Sequence, residues 1–96
     1  MTGSNRYMQR MLINYSNDSL RNIYRKDDEL YNTNFLSIAY DNTVGNSWRT
    51  VVESPFTKNA TEEQLEYALQ LLHKYKVDRE LLILHISNSK QFKQNG

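Results

Sequence analysis

The sequence predicts a small α+β domain in which a single antiparallel sheet carries two helices on one face. Three observations predict it: a capped amphipathic segment at 61–76, two short apolar stretches joined by a turn at 42–46, and an unbroken apolar run at 81–86. The 96 residues fit one domain, 1–96, with residues 1–5 and 89–96 expected to fray. A core of this size is small, so stability should be modest and a partner that covers apolar surface would matter.

The best-marked element is a helix from Thr61 to Lys76. Thr61 and Gln64 form a capping box, Glu62 and Glu63 stand where the helix dipole favours anions, and Lys74 and Lys76 stand where it favours cations. Leu65, Ala68, Leu69, Leu72 and Tyr75 recur at three- and four-residue spacing and form the expected buried stripe, so Leu69→Asp should unfold the domain. A second helix is expected from Ser19 to Tyr31, capped by Asn17 or Asp18, with Leu20, Ile23, Tyr24, Leu30 and Tyr31 on its apolar face.

Asn32, Thr33 and Asn34 interrupt that period. Phe35 to Asp41 then reads as a strand with Leu36, Ile38 and Tyr40 on one side and Phe35, Ser37 and Ala39 on the other. Gly45, able to adopt positive φ, turns the chain into a second strand at Ser47–Glu53, and Pro55 ends the hairpin because it has no N–H for the ladder. Leu81 to Ile86 is short, lacks polar alternation and is bounded by charged and asparagine-rich residues, which suits a strand apolar on both faces. Residues 6–16 support two readings. Tyr7, Met8, Met11, Leu12 and Tyr15 share a helical face, whereas Met11, Ile13 and Tyr15 share one side of a strand. With a strand there, the order is β-α-β-β-α-β, the ferredoxin-like split βαβ arrangement; with a helix, N-terminal helices precede a hairpin, a helix and a strand.

Charge is distributed unevenly along the chain. Residues 1–26 hold Arg6, Arg10, Arg21, Arg25 and Lys26 against Asp18, the stretch 27–66 is strongly acidic, and the formal total is +1. Such an arrangement permits self-complementary association or a weakly basic face. The absence of cysteine excludes disulfides, thiolate zinc sites and thiol catalysis. No apolar run approaches the roughly 20 residues of a membrane span, and residues 1–11 lack the apolar block of a signal peptide, so a cytoplasmic location is expected.

Catalytic material is sparse. His73 and His85 have no sequence neighbours at nucleophile or metal spacing, Asp27, Asp28 and Glu29 read as a solvated acidic patch, and no glycine-rich phosphate loop is present. Asn17-Asp18-Ser19 and Asn59-Ala60-Thr61 match the glycosylation pattern without a secretion signal beside it. No enzyme activity, metal or cofactor is expected.

The expected function is that of a non-enzymatic protein-binding module, an adaptor, inhibitor or regulator acting through an apolar sheet face or edge on another protein or on a second copy as a homodimer. Phe35, Trp48, Leu82, Leu84 and Ile86 are its candidate interface residues, because a doubly apolar edge strand leaves one side uncovered. The alternative is a nucleic-acid-binding regulator using Arg6, Arg10, Arg21, Arg25 and Lys26 with interleaved tyrosines. A third reading is a small dimeric-barrel enzyme with His85 as acid or base.

Overall fold

A computed structural model describes residues 2–95, with side chains from Arg6 to Gln94. It overturns the α+β expectation. Among the described residues 73 % are helical and none is in a strand. The order is α1 (Thr2–Ile23), α2 (Phe35–Val44), a 3-10 turn (Trp48–Thr50), α3 (Phe56–Asn59), α4 (Glu62–Tyr75) and α5 (Arg79–Asn95). Residues 1 and 96, the outermost of the ends expected to fray, lie outside the described residues.

Helix α4 forms as its sequence signals require. The Thr61 hydroxyl accepts the Gln64 N–H at 3.0 Å and the Gln64 side chain accepts the Thr61 N–H at 2.9 Å. Leu65, Ala68, Leu71, Leu72 and Tyr75 are buried on it, whereas Leu69 is half-buried beside the glutamates. Leu72, not Leu69, is therefore the position where a charge should unfold the chain.

The residues read as strands are helical because polar groups at their ends nucleate helix. Asn34 caps α2 by accepting the Ser37 N–H at 3.2 Å, and Gly45 closes it at φ 73° with its N–H on the Asp41 carbonyl at 2.8 Å. Phe35, Ile38 and Ala39, read as lying on both sides of a strand, are neighbours at i, i+3 and i+4 and are buried together. Trp48 lies in the 3-10 turn, not in a hairpin. Asp78 accepts the Leu81 N–H at 3.0 Å and Glu80 stands in the first turn of α5, so the apolar run 81–86 coils.

Helix α1 is continuous through Asn17, Asp18 and Ser19, so the break expected there does not occur. It buries Ile13, Ser16 and Leu20, while Tyr24 and Leu30 in the following turn complete that seam and Ile23 and Tyr31 remain exposed. The turn is tied by Asp27, whose carboxylate accepts the N–H groups of Glu29 and Leu30. Helix α4 packs against α1, α2 and α5, and α2 packs against α1 and α5 as well. The result is flat, 41 × 31 × 17 Å.

Candidate functional site

The predicted interface residues do not form a common surface. Phe35, Trp48 and Leu82 are 1 %, 6 % and 0 % exposed, Ile86 is half-buried, and Leu84 alone of the set is well exposed. Aromatic packing accounts for two of them. Tyr40 stacks on Phe56 with centroids 3.8 Å apart, Trp48 meets both edge-on at 5.6 Å, and Phe35 lies against Tyr24 at 5.9 Å. The Trp48 backbone N–H donates to the buried Asp41 carboxyl at 2.8 Å, which joins the 3-10 turn to α2. These side chains stabilise the interior and have little surface to offer a partner.

Of the basic residues of the alternative reading, Arg6, Arg10 and Arg21 stand on one side of α1 at i, i+4 and i+15, and Arg25 and Lys26 lie in the turn that follows it. The Arg6 guanidinium donates to the Thr57 and Lys58 carbonyls at 3.0 and 3.3 Å, closing the end of α3. Arg21 lines an open cavity of about 370 Å³ with Asn17, Tyr31, Asn32, Thr33, Asn34 and Leu36. Arg10, Arg25 and Lys26 are exposed. Arg79 pairs with Asp27 at 2.9 Å and with Glu29 at 3.2 Å, so part of the acidic patch is a clasp between the 24–33 turn and α5.

His85 faces Tyr75 across the α4–α5 seam, with Nδ1 2.7 Å from the phenol oxygen and the rings edge-on at 5.5 Å. Burial and then nearby Lys74 lower its pKa below 6.5, and burial raises that of Tyr75 above the ordinary phenol value. A neutral phenol and a neutral imidazole at this distance share one hydrogen bond whose direction follows the imidazole tautomer. Asn42 extends the seam by donating to the Ile38 and His85 carbonyls at 2.8 and 3.0 Å. Among the described residues no cluster of three or more metal-ligating side chains is found.

The surface that stands out is the helical face that one of the two readings of residues 6–16 describes. Tyr7, Met8, Met11, Leu12 and Tyr15 do share a face of α1, but that face points away from the core: they are 63 %, 58 %, 52 %, 42 % and 67 % exposed. The buried seam of the same helix uses Ile13, Ser16 and Leu20 instead. Periodicity reported that these residues belong together, and it carried no information on which of two apolar faces would be covered.

Helix α4 borders this ridge along one side. At one end Met8 and Gln9 share an open groove of about 490 Å³ with Glu62, Glu63, Glu66 and Leu69. At the other end the Lys76 amine lies 5.6 Å over the Tyr15 ring. The border is therefore acidic beside Met8 and cationic beside Tyr15. None of these four charged residues belongs to an ion pair among the described residues.

No described helix is long and apolar enough to cross a membrane. No family model, curated protein or solved structure matches this chain.

Proposed function

We propose that the chain is a non-enzymatic interaction module that docks on another protein chain through the outward ridge of α1, with Met8, Met11, Leu12 and Tyr15 as its anchors. The observation that carries this reading is the exposure of large apolar side chains in one contiguous strip on a helix whose other face is already committed to the core. Methionine and tyrosine are the residue types that enrich protein interfaces, the first by adapting to irregular partners and the second by offering a rigid, amphipathic ring. Spacing at i, i+3, i+4 and i+7 is the pattern by which one helix presents anchors to another. The carboxylates of Glu62, Glu63 and Glu66 beside Met8 oppose an anionic lipid surface and so favour a protein.

The test is the Met11→Asp, Leu12→Asp double variant, compared with the parent chain for helicity, melting and retention of a polypeptide that copurifies with the parent. Both positions are exposed, so the fold should keep its stability within about 0.5 kcal/mol per site. Association should weaken by about 30-fold or more, the loss expected of interface anchors worth about 2 kcal/mol. In dilute solution, where the parent is a single copy, a variant that melts far below it would place the ridge inside the chain's own core and end this reading. Unchanged association would end it too, as would binding of the parent, and not the variant, to anionic vesicles.

A further inference from the structure

We infer that the chain covering this ridge is a second copy of the same protein, with the two α1 helices packed antiparallel about a two-fold axis between Met11 and Leu12. The inference rests on the docking reading above and names its partner. An antiparallel pair centred there sets Met8 of one copy against Tyr15 of the other and Met11 against Leu12, so every anchor meets an anchor. The thioether of Met8 then lies on the tyrosine ring, a favourable sulfur–aromatic contact.

Charge complementarity selects this partner over an unrelated one. The border formed by α4 is acidic next to Met8, through Glu62, Glu63 and Glu66, and cationic next to Tyr15, through Lys76. A two-fold axis across α1 reverses the helix while keeping its α4 border on the same side. The acidic end of each copy therefore faces the Lys76 end of the other, and the match occurs twice because the interface is isologous. An arbitrary helix would have to reproduce this acid-to-base gradient; a second copy carries it already.

The absence of cysteine makes the register measurable with single introduced thiols. Near the axis, Met11→Cys places the two sulfurs about one residue rise apart along the helix, within disulfide reach. Met8→Cys separates them by seven residues, about 10 Å along the axis, which is beyond it. The expected result is oxidation of Met11→Cys to a covalent dimer while Met8→Cys stays uncrosslinked. In sedimentation from micromolar to millimolar concentration the parent chain should dimerise. Lys76→Glu should weaken the dimer roughly tenfold at low salt, and adding Glu66→Lys should restore most of the loss. Efficient crosslinking of Met8→Cys, or a dimer that survives Met11→Asp, overturns the proposed pairing. A parent chain that remains monomeric throughout overturns self-association, and the copurification test of the double aspartate variant then decides separately whether the ridge docks on a different protein.

Discussion

Asp41 and His85 are single residues whose surroundings set measurable costs. Asp41 is 1 % exposed and its carboxyl accepts the Trp48 backbone N–H, so Asp41→Ala leaves a buried backbone donor without a partner. It should cost about 1–3 kcal/mol in urea unfolding. His85 is held neutral in the folded chain, with its pKa below 6.5, while the unfolded chain takes up a proton near 6.5. The stability it contributes is present above pH 6.5 and is lost as the pH falls through the folded value. Protonation also adds charge near Lys74. The urea midpoint should therefore fall between pH 7.5 and 5.5, and His85→Phe should reduce that fall; His73, lowered by burial and Lys76, supplies a residual slope of the same sign. An equal fall in the variant would remove His85 as a cause. Trp48 and Phe35 show what a residue's identity withholds. A large aromatic can anchor a core or an interface, and the decision lies with distant partners such as Phe56 and Tyr24 that the local sequence does not identify.

At the scale of elements, legibility followed the caps. Helix α4 was readable because its capping box, dipole-matched charges and apolar stripe all agree. Helices α2 and α5 read as strands because a short apolar run satisfies a strand and a buried helix equally well, and Asn34 and Asp78, which decide the matter, look locally like loop residues. The continuity of α1 is hidden for the opposite reason: Asn17, Asp18 and Ser19 look like a cap, yet tertiary packing of Ile13, Ser16 and Leu20 carries the helix through them. The helical account of α5 separates two neighbouring leucines. Leu82 is fully buried and Leu84 is 56 % exposed, so Leu82→Ala should cost about 2–5 kcal/mol and Leu84→Ala less than about 0.5 kcal/mol. Similar losses at both, in matched denaturation curves, would argue against the helical register. Thr61→Ala should cost α4 about 0.5–2 kcal/mol through the lost cap.

At the scale of the whole molecule, the core runs through α4 and its neighbours, and the plate-like shape leaves α1 with one face inside and one outside. Both faces carry apolar side chains, and the outer one is the reason to assign the protein a docking role. The sequence contains that grouping in the helical one of its two readings of residues 6–16, where Tyr7, Met8, Met11, Leu12 and Tyr15 share a face; what it lacks is the position of α4, which covers the opposite seam. Methionine supplies a direct probe, because two of the three methionines, Met8 and Met11, stand on the ridge. The decisive measurement is the NMR signal of methyl-labelled methionine in the presence of a soluble paramagnetic agent, followed from dilute chain to the assembled state. Met8 and Met11 should be strongly broadened when the chain is dilute and protected once it associates. Methyl signals shielded at every dilution, or still fully broadened in the assembly, would contradict the assignment of α1 as the docking surface.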